Sequence, residues 1–344
     1  MKRFILVIGI GLLAVNGAHA QDCPANPPKY PNPSNFDSHV FLPDAGYTPV
    51  AVGLRAAKTP SCSNPADPTN AQAIRAAFVL APPGLQADLC KLKCIVVLND
   101  SGSWGKWANN KNPKYGGDGS AVIGVGTDDL NPTITLSQKL NNNLIGVPGS
   151  HTVTAGDDAA HSLMYTLAHE MAHIKWHRDF TNGISPGCTQ DNFIKTSWQG
   201  PAGSKVRRWT HFGEEYGNIK NNNIKFPSEV TSANDVNTIY TASSGAFATA
   251  LGATNPEEDF VESYAIGAFI ARNIANHRPA TITLTLSPTI NIPVDDPSFR
   301  NNTDLGTKWS TCTLPILQSA AIVPEEGYGQ KRGDGRKKSR KKRR

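Results

Sequence analysis

The stretch Asp157–His177, DDAAHSLMYTLAHEMAHIKWH, decides how the rest of the chain is read. Asp157-Asp158 is an N-cap signal, and the apolar residues behind it recur at helical spacing, with Leu163, Met164, Leu167, Met171 and Ile174 on one side. The spacing therefore predicts a helix with a core face. With His169 taken as the origin, His173 lies about 40° round the helix, whereas Leu167 and Met171 point near 160° and 200°. The two imidazoles thus share a face turned away from the apolar stripe, with Glu170 between them in sequence.

Two imidazoles one helical turn apart can reach a single metal ion, and a carboxylate beside them can act on a water held there. Chance is a poor explanation: nine His and nine Glu in 344 residues would produce His-Glu-x-x-His in about 0.6% of shuffled chains. Two surface histidines on an amphipathic helix would not need to flank a Glu and oppose the core stripe.

Outward from this motif, the composition describes a folded, exported chain. A 39% hydrophobic content with 18% charged residues suffices for a buried core. Residues 1–20 run Lys2-Arg3, an apolar stretch from Phe4 to Val15, then Ala18-His19-Ala20, the order of a secretory signal peptide. That stretch is too short for a spanning helix, which needs about 20 residues. A secreted or periplasmic location follows, and there Cys23, Cys62, Cys90, Cys94, Cys188 and Cys312 can pair as disulfides. Cys90/Cys94 as half of a metal knuckle lacks a matching second pair.

The net charge of +6 misleads. Residues 331–344 hold ten Lys and Arg against one Asp; without this tail and the two leader cations the body carries −5. The tail, within a disordered 321–344 segment, suits an acidic partner such as nucleic acid, anionic lipid or an envelope polyanion, or is simply solvated.

Residues 21–70 are rich in Pro, Asn and Ser and predict irregular structure. Ala71–Leu80 reads as a helix stopped by Pro82-Pro83, and Cys94–Leu98 and Ala121–Val125 read as strands of one sheet. Between those strands, Trp104 and Trp107 among Gly, Ser and Lys predict a loop with aromatic anchors. A second strong helix opens at Asn255-Pro256-Glu257-Glu258, with Asn as N-cap, Pro at the first position and Glu258 placed for a capping box, and runs to about Asn276. Loops and short elements fill 179–254.

His169-Glu170-Met171-Ala172-His173 resembles the motif of the zincin zinc metallopeptidases. The resemblance is specific for 157–178 and covers about a third of the chain once the sheet and the second helix are added. It implies an α+β domain over 71–320, with a twisted mixed sheet over the motif helix and a later ligand-bearing helix. Glu258-Asp259-Phe260-Val261-Glu262 is similar to the ExxxE pattern of the gluzincin branch. By that likeness Zn2+ would be held by His169, His173 and Glu258, while Glu262 would orient a histidine and Glu170 would be the catalytic base.

Alternatives stay open on the sequence. Glu258 can serve as a helix-capping residue, with Glu257 the nearest substitute ligand. Asp179, ten residues after His169, stands where a metzincin-like third ligand would fall, although Trp176 occupies the turn position where that pattern has Gly. His177 reads as a second-sphere group or a polar helix end, and His211, Glu214 and Glu215 are outside candidates. Tyr240, Tyr264 or His211 could stabilise an oxyanion, and the resemblance implies that Ala121–Val125 is the edge that pairs with an extended substrate. The expected function is a secreted zinc endopeptidase; the rival is a non-catalytic exported zinc protein that holds polyanions through its tail.

Overall fold

The computed structural model describes residues 36–43, 62–99, 102–107, 120–142, 150–153, 156–179, 188–198, 240, 245–276, 281–285, 290–293 and 303–319. The stretch read as a signal peptide (1–20), the basic 321–344 segment, His211, Glu214 and Glu215 lie outside them. The described residues form an α+β structure with a five-stranded mixed sheet and a separate three-stranded sheet.

The larger sheet contains β1 (Val40–Leu42), β2 (Asn64–Pro65), β3 (Cys94–Val97), β4 (Trp104–Trp107) and β5 (Ala121–Val125), in the order β2-β1-β3-β5-β4. β1, β3 and β5 run parallel, and β2 and β4 are antiparallel to their neighbours. The parallel run explains why β3 and β5 read as continuous apolar stretches: both faces are covered. Ile95, Val97, Ile123 and Val125 join the main core, while Cys94, Val96, Leu98 and Val122 form a smaller cluster on the opposite face. The Cys62–Cys94 disulfide closes that smaller cluster and removes Cys94 from any metal knuckle.

Two sequence expectations change here. The 21–70 segment is not wholly irregular, because Phe36 and Val40 enter the core and β1 pairs with β3 through Val40↔Ile95 and Phe41↔Val96. More consequentially, the Trp104–Trp107 stretch is a strand rather than a loop, and it takes the edge position expected of Ala121–Val125. β5 lies inside the sheet, flanked by β3 and β4.

The glycines of β4 and β5 explain why the pattern hid this strand. A Cβ on Gly124 would stand 2.5 Å from the Trp104 ring, so the indole lies flat across a position that only glycine leaves open. A Cβ on Gly105 would stand 2.1 Å from the Glu170 backbone oxygen, so β4 sits directly on the motif helix.

The helices follow their caps. α1 (Pro68–Leu80) starts three residues earlier than the expected Ala71, because Asp67 accepts a hydrogen bond from Thr69 N at 2.8 Å and Pro68 takes the first turn. After Pro82, α2 (Pro83–Cys90) leads into β3, and α3 (Leu136–Asn142) precedes β6 (Ser150–Val153). α4 (Ala159–Arg178) is capped by Asp158, whose carboxylate accepts from His161 N. Leu163, Met164, Leu167, Met171 and Ile174 are all buried, each contributing about 1.5–3 kcal/mol. Tyr165, Ala168, Ala172 and Trp176 are buried as well, so α4 is covered on nearly every side rather than along one stripe.

α5 (Gln190–Ser197) follows, and then α6 (Pro256–Asn276), which packs against α4. Its N-cap Asn255 accepts from Glu257 N at 3.0 Å and Glu258 N at 2.9 Å. The chain then adds elements the sequence pattern did not reveal: β7 (Thr281–Thr285) and β8 (Ile290–Pro293), which form the second sheet with β6, and a helical segment over 304–318. The Cys188–Cys312 disulfide ties that last segment to the start of α5. No helix among the described residues is long and apolar enough to cross a membrane, and the two disulfides suit an oxidising compartment.

Candidate metal centre

α4 and α6 meet where their polar residues are most concentrated. His169 and His173 stand four positions apart on α4, and the two Nε2 atoms converge to 3.3 Å. Both rings are held from behind by carboxylates of α6: His169 Nδ1 lies 2.7 Å from Glu262 Oε1, and His173 Nδ1 lies 2.8 Å from Glu257 Oε1. A carboxylate only accepts, so each Nδ1 carries a hydrogen, and Nε2 is the ring atom left for a metal once its own proton is lost.

Glu258 faces those two Nε2 atoms. Its Oε1 is 3.7 Å from His173 Nε2 and its Oε2 is 3.9 Å from His169 Nε2, so all three ligand atoms fit within 4.8 Å of one another. Ligand bonds of about 2.0–2.2 Å in a tetrahedron imply edges of about 3.3–3.6 Å, close to these separations. Glu258 is 7% exposed, and its Oε2 is buried with no hydrogen-bond partner among the described residues. A buried carboxylate oxygen beside two convergent imidazoles needs positive charge near it, from protons on the rings or from a metal ion in their place. The donor set, two nitrogens and one oxygen, is one that zinc accepts. The capping-box alternative for Glu258 is half realised, in that its backbone N–H is capped by Asn255 while its carboxylate is turned toward the histidines.

The electrostatics agree with the geometry. Burial opposes a charged His173, yet Glu258 and Glu257 outweigh it and raise its pKa to about 10. His169 is likewise raised, against burial, by Glu262 and Glu170. Burial pushes Glu258 up, more than the two histidines pull it down. Four carboxylates therefore act on two imidazoles, which makes the pocket a place that favours added positive charge.

Glu170 is 7% exposed, its charge acts on both rings, and its backbone oxygen is the atom against which Gly105 of β4 packs. Glu262 is fully buried; besides His169 it accepts from Tyr165 OH at 2.5 Å and from Thr249 Oγ1. Although burial would raise Glu262, His169 and these hydroxyls hold its pKa below the usual carboxylate range.

The other candidates are placed elsewhere. Asp179 caps the end of α4, with its carboxylate 2.7 Å from Arg178 Nε and 3.6 Å from Lys175 Nζ; it does not join the histidine pair. Glu257 lies behind His173 and also meets His177 Nε2 at 2.9 Å, so His177 is part of the network rather than an idle helix end. Tyr264 OH donates to Asp88, away from the histidines. Tyr240 is buried, its hydroxyl has no hydrogen-bond partner, and burial together with the Glu262 charge raises its pKa. Sequence reasoning missed Glu257, Tyr165, Thr249 and Gly105 in these roles. Only Tyr165, one turn before His169 on the same face, carried a readable signal.

No protein-family model, curated protein or solved structure matches this chain.

Proposed function

We propose that this chain is a zinc-dependent endopeptidase of the zincin type, with His169, His173 and Glu258 as ligands and Glu170 as general base. The observation that carries the reading is the convergence of both Nε2 atoms on the unpartnered Glu258 carboxylate, with Glu170 acting on the same two rings.

A zinc ion held there would supply Lewis acidity, bringing the pKa of a water near 7 and polarising a peptide carbonyl. Glu170 then takes a proton from the attacking water and delivers it to the leaving amine. Glu262 keeps the His169 ring in one tautomer throughout. Of the two sequence candidates among the described residues, Tyr240 is the better oxyanion donor, since Tyr264 is engaged with Asp88 and the Tyr240 hydroxyl has no hydrogen-bond partner there. An extended polypeptide can add to the outer edge of β4, which Gly105 holds against the Glu170 backbone, so the scissile bond would arrive beside the base.

The test pairs zinc content with casein hydrolysis. Glu170→Gln should retain zinc and lose about 100- to 10,000-fold in kcat/KM. Zinc retained by the wild type without cleavage of several polypeptides would favour the non-catalytic binding protein instead.

A further inference from the structure

Glu257 has no part in the chemistry above, yet it is fully buried beside it. Its Oε1 accepts from His173 Nδ1 at 2.8 Å and from His177 Nε2 at 2.9 Å, while its Oε2 has no partner. Consecutive residues on a helix diverge by about 100°. Glu258 can therefore face the Nε2 side of the histidine pair while Glu257 reaches round to the Nδ1 side of His173. His177 lies one turn beyond His173 on the same face of α4, which is why one carboxylate oxygen can serve both rings.

We propose that Glu257 and His177 form a positioning arm that fixes the His173 ring with its Nε2 lone pair toward the metal, matching the Glu262 arm behind His169. The proposal rests on the metal-centre reading and adds a second, independently removable support to it. Glu257 is thereby a positioning residue and not a substitute ligand, because its bound oxygen lies behind the ring that the metal would face. The two arms differ in what steadies them. Glu262 is held by the hydroxyls of Tyr165 and Thr249, and Glu257 by an imidazole. A hydroxyl can donate and accept, whereas the Glu257 arm needs His177 to present a hydrogen on Nε2. His173 should therefore be the more easily disturbed of the two ligands.

The experiment measures zinc affinity by chelator competition in the full chain for wild type, Glu257→Gln, Glu257→Ala and His177→Leu. Glu257→Ala should weaken zinc by about 10- to 100-fold, with Glu257→Gln and His177→Leu losing less but more than about twofold. Nitrogen-15 NMR of the zinc-loaded wild type should find the His173 hydrogen on Nδ1 and the metal on Nε2, and Glu257→Ala should lose the slowly exchanging Nδ1–H signal. The NMR arm on wild type stands even where a variant fails to fold. Normal wild-type zinc binding with all three variants within about twofold of it, or a His173 hydrogen found on Nε2, would overturn the arm while leaving the metal centre intact. A wild type that takes no zinc would overturn the metal reading and the arm together.

Discussion

Glu258 and Asp259 are neighbours in the first turn of α6, both buried, and their surroundings are opposites. Asp259 is closed on every side: Lys308 Nζ sits 2.8 and 2.6 Å from its two oxygens, and Trp198 Nε1 donates to it at 2.7 Å. Lys308 also donates to Ala246 O, which ties the final helical segment to the turn region that precedes α6. Glu258, one residue earlier, has no Lys or Arg partner among the described residues, only two imidazoles, and its Oε2 makes no hydrogen bond there. A buried charge that is fully paired is architecture, and one that converges with two imidazoles without closing a hydrogen bond is a candidate metal site.

Burial alone does not make the distinction, as two histidines show. His39 and His173 are both buried, yet their pKa values move in opposite directions. Burial lowers His39 to about 4, only partly offset by a hydrogen bond to the Leu92 backbone, whereas the carboxylates around His173 raise it to about 10. His39 Nε2 is also unpartnered, but it lies beside Phe36 in the apolar core and faces no convergent set of donors.

The architectural side can be broken first. Lys308→Met strands the Asp259 charge and should cost about 3–5 kcal/mol of unfolding free energy in urea titrations. Adding Asp259→Leu should recover most of that loss, since a paired charge replaced by apolar groups is close to neutral. Failure of the double variant to recover would mean that Asp259 has a task beyond its pairing with Lys308. His39 sharpens the comparison with a somewhat smaller effect. Its folded pKa of about 4 lies below the unfolded 6.5, so between those values the unfolded chain binds more protons and stability falls as pH drops. The decline should reach about 3 kcal/mol between pH 6.5 and 4, and His39→Leu should lack that component of the unfolding curve. Identical pH profiles for the two proteins would refute it.

What the sequence made legible was what depends on local spacing. The caps at Asp158 and Asn255 and the period of α4 locate both helices, and the apolar runs at Cys94 and Ala121 locate β3 and β5, because these signals act within a few residues. The strand at Trp104–Trp107 was hidden since Gly105 reads as a loop residue; its purpose, contact with the Glu170 backbone, lies 65 residues away in the chain. The division of labour among Glu257, Glu258 and Glu262 was only partly readable. Spacing identifies the acidic cluster and suggests a ligand and a supporter, but which of two adjacent carboxylates faces a lone pair depends on how α6 is rotated against α4. Likewise, Asp179 stands at a plausible distance in sequence, and only the tertiary structure reveals Arg178 and Lys175 holding it.

The central claim is that Glu258 supplies the third donor to the His169/His173 pair. Zinc titration of wild type, Glu258→Ala and Asp179→Ala tests it most directly. The account predicts one zinc per wild-type chain, wild-type affinity in Asp179→Ala, and a loss in Glu258→Ala greater than the roughly 10- to 100-fold typical of an outer hydrogen-bonding partner. Undiminished zinc affinity in Glu258→Ala, or its disappearance in Asp179→Ala, would contradict it.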